Sequence, residues 1–329
     1  MTPPWRHLIL AGLLPVLLTA CSQTDPSPTA VPPTAGPPSA TPSQGQVPTP
    51  SASPTSSPSP TESIALKDRP FTVLVLGADL EGRTDVIMVV GVDIKSRRIS
   101  FASIPRDTIN VPLPNGGTFA DKKINSFYNF AAARQSTYPQ GPARATTELV
   151  GGMLGIKIDF TARTTFRGFE GLTDAMGGVG ITLTKAVVDP SYQVTTRDVG
   201  VSFPKGSQTL TGKRALIFVR TRGGDNDFER QRRQQAFLLA AGRQVLAKPT
   251  LVVALLAAQG NFQTDFPITQ IPDLIGAIDK IDGWTINQIV LGPRTYESAA
   301  TCTCGYALEP KLDAMRKLAR SFYPWAVLP

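Results

Sequence analysis

The chain has 329 residues, of which 41% are hydrophobic, enough for one large core or two small ones, and it carries a formal charge of +8. Arg6, Asp25, Glu62 and Lys67 are the only charged side chains before residue 68 and they cancel, so the surplus lies beyond them and its partners should be anionic. The one histidine, His7, sits in a leader that processing removes; a mature chain without it excludes a Ser-His-Asp triad, a Cys-His pair and an imidazole-bound zinc, and leaves carboxylates, Arg, Lys, hydroxyls and a hard metal ion to carry any chemistry.

Residues 1–21 place one Arg before the apolar run Leu8–Leu18, too short for a stable membrane span, and end in Leu18-Thr19-Ala20-Cys21. Small residues before a Cys resemble a bacterial lipobox. On that reading 1–21 is a lipoprotein signal peptide, Cys21 is the lipid-modified first residue of the mature chain, and everything after it is extracytoplasmic. A plain secretory signal would give the same compartment. Residues 22–67 are dominated by Pro, Ser, Thr, Ala, Gly and Gln without apolar periodicity, the composition of a disordered tether. Extended at about 3.1 Å per residue, it reaches on the order of 100 Å from its anchor. Residues 68–329 show no further break in composition and read as a single α/β domain.

Phe71–Leu76 is a continuous apolar run ending at Gly77, the pattern of a buried parallel strand. After Asp79, Arg83 and Asp85, Val86–Val92 gives a second strand, and Ile99–Ile104 pairs with it as a hairpin that runs into Pro105-Arg106-Asp107. Helices are expected over Phe127–Arg134, Ala143–Leu154 and Phe169–Met176, the last stopped by Gly177-Gly178. Ile158–Phe166 and Val179–Leu183 read as strands, and Asp189–Lys205 as irregular. Ala215–Arg222 alternates as a strand, which puts Arg220 and Arg222 on one face at its end. Asn226 with Glu229 then forms a capping box for a helix in which Arg230, Arg233 and Gln234 share a face, with Asp227 at the amino end. Further helices are expected over Leu251–Ala258, Ile271–Ile281 and Leu308–Phe322, with a late strand at Ile286–Leu291.

Arg220 to Gln235 thus converges guanidinium groups, an amide and a helix amino terminus on one small volume, which suits an anion with several oxygens such as a pyrophosphate. Asp79, Arg106 and Arg220 each follow a strand end on this reading, where ligands of open α/β sheets bind. Taken singly, each feature has a plainer reading. A basic helical run is a solvated face, Asp79 and Asp85 are turn carboxylates, Arg106 pairs with Asp107, Asn125 is a helix cap, and the apolar stripe Phe237-Leu238-Ala241 is core. Cys302 and Cys304, one residue apart with no histidine near, fit a structural disulfide in an oxidising compartment better than a metal site.

Laid side by side, Val73–Asp79 (VLVLGAD), Arg83–Val90 (RTDVIMVV), Ser103–Thr108 (SIPRDT), Lys123–Tyr128 (KINSFY), Gly168–Val179 (GFEGLTDAMGGV), Leu210–Arg222 (LTGKRALIFVRTR) and Asp227–Gln235 (DFERQRRQQ) resemble the LytR-CpsA-Psr family of bacterial envelope proteins, in that family's order over about residues 70–240. The resemblance implies a three-layer α/β/α sandwich with a mixed central sheet, holding a long apolar pocket for a lipid under a polar mouth. It implies a membrane-tethered transferase that moves a glycopolymer from a polyprenyl-pyrophosphate carrier onto peptidoglycan. Asp79 and Asp85 match the family's magnesium-site aspartates, so Mg²⁺ (or Mn²⁺) is the expected cofactor. Arg106, Arg220, Arg222, Arg230 and Gln234 match its pyrophosphate-binding groups, to which the helix face adds Arg233. Arg106, Arg220 and Asp227 are the catalytic candidates, with Asp227 or Asp107 to take the proton of the attacking hydroxyl. The loops Asp79–Asp85 and Arg222–Asp227 are shorter than usual there, and a lipid anchor replaces the usual transmembrane helix. Rival readings are a hydrolase of pyrophosphate lipids and a non-catalytic lipid- or wall-binding tether; nucleic acid is not an expected partner of an exported chain.

Overall fold

The computed structural model describes residues 65–328 except 196–197, 223–225, 259, 261, 279–280 and 299–301. The leader, Cys21 and nearly all of the expected tether therefore lie outside the described residues. The folded unit takes in residues assigned by composition to the tether: Leu66, in a 3₁₀ turn Leu66–Asp68, is buried, and its N–H donates to Gln270 Oε1 at 2.9 Å.

The centre is a meander of β1 (Phe71–Ala78), β2 (Thr84–Asp93) and β3 (Arg98–Ser103), each antiparallel to the next. Short pairs β4 (Val111–Pro112) and β5 (Thr118–Phe119) follow, then α1 (Phe127–Ala132) and α2 (Pro142–Leu154). A parallel strand, β6 (Phe160–Thr165), adds beside β1 and leads through a Thr165 cap into α3 (Phe166–Ala175). With β11 (Phe262–Thr264) and β12 (Thr285–Val290) on the edges, the sheet order is β11-β6-β1-β2-β3-β12, a mixed sheet. The sequence reads β1 as parallel; it is parallel to β6 only and antiparallel to β2.

Both faces of this sheet are apolar, as continuous hydrophobic strands require. On one, Leu74, Leu76, Ile87, Val89, Ala102 and Ile104 pack under α1, α2 and α8 (Leu312–Phe322). Gly91 admits the close approach of the carboxyl-terminal segment, since a Cβ there would stand 2.7 Å from the Tyr323 ring, whose hydroxyl donates to the Val89 carbonyl at 2.9 Å. The other face carries Val75, Val86, Met88, Val90 and Phe101 toward Leu238, Leu239 and Leu246 of α5 (Asp227–Ala247). Helices on both faces give the three layers.

A second core gathers β7 (Val179–Leu183), β8 (Val187–Gln193), β9 (Val199–Phe203), β10 (Gly206–Leu210) and α4 (Gly212–Arg220) against Phe237. Two expectations are corrected here. The stretch Asp189–Lys205 is not irregular throughout: β8 and β9, which supply most of its described residues, pair as a hairpin. Ala215–Arg222 is not a strand: Gly212–Arg220 is helical and buries Ala215 through Val219. An apolar run of that length fits a buried helix as well as a strand, and the shared core with β7–β10 decides for the helix. The remaining elements are α6 (Leu251–Ala257), α7 (Ile271–Ala277) and the pair β13 (Tyr296–Ser298) with β14 (Leu308–Pro310). Cys302 and Cys304 form a disulfide between them, with Cα atoms 5.1 Å apart.

Candidate active site

The layers do not close over β1 and β2. Between that sheet face and α3, α5 and α7 lies a cavity of about 850 Å³, walled by Val73, Val75, Met88 and Val90 below and by Leu238, Ala241, Gly242 and Val245 above. It persists because α5 offers Ala241 and Gly242 where a filled core would need large side chains. Its polar end is lined by Asp85, Arg106, Arg220, Arg222, Arg230 and Gln234.

Asp85 reaches that end through a slip in the ladder. Gly77 pairs with Val86 but Ala78 with Thr84, so Asp85 is the extra residue of a β-bulge, a device that re-aims a side chain. One of its oxygens accepts from Arg106 Nη1 at 2.8 Å. Arg106 thus pairs with Asp85 more closely than with Asp107, which stands 3.9 Å away and forms its nearer ion pair with Lys123 Nζ at 2.7 Å. Burial weakens the charge on Arg106, but Asp85 first, then Asp107 and Asp227, outweigh it and raise its pKa. The loop is fixed from below by buried Thr108, whose hydroxyl bonds the Pro105 carbonyl at 2.6 Å and the Tyr296 hydroxyl at 2.9 Å. Asn125 supports the same loop through its backbone, its N–H donating to the Arg106 carbonyl at 3.4 Å.

Asp79 has a different setting. Its Oδ1 accepts the backbone N–H groups of Glu81 (2.9 Å) and Arg83 (2.8 Å), and its Oδ2 accepts Arg83 Nε at 2.9 Å. Burial pushes its pKa up, yet these donors together hold it below the ordinary carboxylate range. Strand alternation puts Asp79 on the face of Val75 and Gly77, and it follows β1 directly, but it does not itself line the cavity. Among the described residues no three His, Cys, Asp or Glu side chains gather as a ready-made metal cage. Magnesium asks for less: one or two carboxylates, with waters and phosphate oxygens as the other ligands. Asp85, on the cavity, offers hard oxygens of that kind, whereas both oxygens of Asp79 are taken by Arg83 and the backbone N–H groups of Glu81 and Arg83.

The opposite wall comes from α4 and α5. Arg220 ends α4, not a strand, and lies with its guanidinium 4.2 Å from the Phe166 ring centroid. Asn226 caps α5 as its position predicts, accepting from the N–H groups of Phe228 and Glu229 at 3.1 Å each. The Glu229 side chain turns to Arg232. One turn into the helix, buried Arg230 places Nη2 at 2.7 Å from Asp227 Oδ1, with Arg222 Nη2 4.0 Å from the same oxygen. The Arg230–Asp227 contact is an ion pair without hydrogen-bond alignment, and Arg230 Nη2 and Arg106 Nε are both buried without an acceptor. Burial depresses the Arg230 pKa, Asp227 opposes that, and the neighbouring charges of Arg106 and Arg222 depress it further. A guanidinium stays charged even so, and buried donors without acceptors favour an incoming anion. Gln234 donates to the Val219 carbonyl at 3.0 Å, tying α5 to α4.

Arg233, expected among the pyrophosphate-binding groups, does not line the cavity; its Nη2 donates to the Thr221 carbonyl. At 100° per residue, positions 230, 234, 237, 238 and 241 share the cavity face and 233 is rotated toward the end of α4. Sequence reasoning also missed residues that support the site. Asp189, on a segment read as irregular, accepts from Thr221 Oγ1 at 2.6 Å and from the Arg222 N–H at 3.2 Å. Gln231 donates to Asp227 Oδ2 at 3.0 Å. The i, i+4 spacing of Gln231 from Asp227 was a usable signal; nothing local marks Asp189.

A sequence profile described as the LytR_cpsA_psr family matches residues 43–317. Among similar proteins, Biofilm regulatory protein A of Streptococcus mutans serotype c is 28% identical over 237 residues, 67% of this chain and 56% of that protein. Polyisoprenyl-teichoic acid--peptidoglycan teichoic acid transferase TagU of Bacillus subtilis is 34% identical over 179 residues, 53% of this chain and 51% of that protein. The chain therefore spans about half the length of these relatives. Among solved structures, TagT bound to LIIa-WTA superposes with a TM-score of 0.63 at 22% identity over 80% of this chain and 93% of that one, a likeness of fold. Bacillus subtilis TagV gives a TM-score of 0.60 at 26% identity over 78% and 96%.

Proposed function

We propose, from the premise that this chain belongs to the LytR-CpsA-Psr family, that it is an extracytoplasmic phosphotransferase moving a glycopolymer from a polyprenyl-pyrophosphate carrier onto peptidoglycan. The observation that carries this reading is the joining of an apolar cavity of about 850 Å³ to a mouth where Arg106, Arg220, Arg222 and Arg230 outnumber Asp85 and Asp227. A long prenyl chain buries apolar surface in the first while its charged head meets the second. Relatives named as teichoic acid transferases support the choice of a glycopolymer donor and a peptidoglycan acceptor.

In this reading the four arginines and Gln234 hold the pyrophosphate in line with an acceptor hydroxyl of the glycan. That hydroxyl attacks the phosphorus nearer the saccharide, its proton passes to Asp227, the bridging P–O bond breaks, and prenyl monophosphate leaves. Asp227 suits the proton better than Asp107, because it stands beside Arg230 and Arg222 whereas Asp107 is turned to Lys123. Mg²⁺ or Mn²⁺ at Asp85 would add positive charge where the phosphoryl oxygens gain negative charge. The arginines do the same from the opposite wall. Among the described residues no helix is long and apolar enough to cross a membrane; Cys21 lipidation is the proposed anchor.

Calorimetric titration with geranylgeranyl pyrophosphate, geranylgeranyl monophosphate and geranylgeraniol tests the reading. Affinity should fall at each step of charge removal, by roughly tenfold or more from pyrophosphate to monophosphate, and chelation of divalent metal should weaken only the charged ligands. Equal binding of all three would leave the mouth without its assigned role.

A further inference from the structure

Thr221 is uncharged, fully buried and does not line the cavity, yet every polar group it has is held. Its N–H closes α4 on the Ile217 carbonyl at 2.8 Å. Its hydroxyl donates to Asp189 Oδ2 at 2.6 Å, and its carbonyl accepts from Arg233 Nη2. The next N–H along the chain, that of Arg222, goes to the same Asp189 oxygen at 3.2 Å. Asp189 is itself buried on β8, and its Oδ1 accepts from the Ser191 N–H at 3.2 Å and the Ser191 hydroxyl at 3.0 Å.

Burying a carboxylate is costly unless donors surround it. What this carboxylate holds is Thr221 and Arg222, the two residues that follow the end of α4 and set the origin of Arg220 and Arg222 at the mouth. Without it, the carboxyl end of a nine-residue helix would be free to fray and the two guanidinium groups would lose their common origin. Arg222 shows the need: its side chain is 54% exposed, so packing does not place it, and the backbone from which it springs must. The same strand reaches the other arginine: burial raises the pKa of the Tyr192 hydroxyl, and the charge of Arg220 opposes that rise in part.

We infer that Asp189, Thr221 and Arg233 form a positioning assembly, drawn from β8, the end of α4 and α5, that fixes the Arg220–Arg222 segment for binding a pyrophosphate. Arg233 on this account acts through Thr221 rather than on the ligand. The inference rests on the pyrophosphate reading of the mouth given above.

The test uses the full chain in detergent micelles with geranylgeranyl pyrophosphate as the probe, comparing wild type, Thr221→Val, Arg222→Ala and the double variant, with Asp189→Asn alongside. Thr221→Val keeps the shape and removes the hydroxyl. It should weaken binding roughly tenfold, the scale of one hydrogen bond to a charged group, and lower the melting temperature alike in both backgrounds, because buried Asp189 loses a donor. In the Arg222→Ala background the same change should cost no more than roughly threefold, because most of its effect passes through Arg222. Wild-type affinity in Thr221→Val, or an equal loss in both backgrounds, overturns the positioning role. Wild-type affinity in Arg222→Ala overturns the reading of the mouth itself, and the positioning role with it. Should Asp189→Asn fail to fold, Thr221→Val still decides.

Discussion

Asp85 and Asp79 stand six residues apart in sequence and differ in what restrains them. The bulge that carries Asp85 to the cavity was not legible, because Asp85 sits between Thr84 and Val86 in an unbroken strand pattern; only the pairing with Gly77 and Ala78 reveals the extra residue. Asp189 was hidden for a similar reason: its partners lie 32 and 33 residues on, so no local spacing announces them. Arg106, Arg230 and Gln234 were legible through their motifs and all line the cavity. The clamp of Arg83 on Asp79 makes a pH prediction. Because the folded pKa of Asp79 is depressed, the clamp stabilises the fold above the unfolded carboxylate value, near 4, and that stability is lost as pH falls through the lower folded value. Arg83→Ala should cost no more than about 1 kcal/mol at neutral pH, since Arg83 is half exposed. Urea denaturation across pH should show wild type and variant converging in acid. A gap that widens toward low pH would contradict the assignment.

At the level of elements, the meander β1–β2–β3 and the long helix α5 follow from strong local patterns and stand within a few residues of their expected bounds. The helix α4 does not, because an apolar run has no period of its own and takes the form its neighbours dictate. The β8–β9 hairpin escaped notice since Pro190, Ser191 and Gly200 break the alternation that marks a strand. Asn226 is the single cap on which the start of α5 depends. Asn226→Ala should lower stability by about 1 kcal/mol, read as a shift in denaturation midpoint. It should also weaken geranylgeranyl pyrophosphate binding by more than that loss of fold alone, because Asp227 and Arg230 lie in the turn that frays. A variant that loses stability but binds as wild type would separate the cap from the site.

For the whole molecule, the decisive feature is a layer interface left open. Gly242 lies on the cavity wall in the carboxyl-terminal third of α5, and a Cβ there would meet nothing within 4 Å. Gly242→Ala should therefore stabilise the protein by about 0.5–1 kcal/mol through helix propensity. Gly242→Leu should raise the melting temperature further while lowering prenyl affinity, the exchange of stability for function expected where a void is kept for a ligand. The charge balance of the chain predicted an anionic partner, and the positive mouth agrees with that sign; the cavity itself was beyond sequence reasoning, since stripes such as Phe237-Leu238-Ala241 are equally consistent with closed core. The measurement that bears most directly on the account is transfer itself. The protein would be incubated with Mg²⁺, a synthetic polyprenyl-pyrophosphate-linked saccharide and peptidoglycan fragments, beside Arg106→Ala and Asp85→Ala. The account predicts saccharide joined to glycan through a phosphodiester, reduced at least a hundredfold in both variants. Release of saccharide phosphate with no labelled glycan, or equal labelling by the variants, would contradict it.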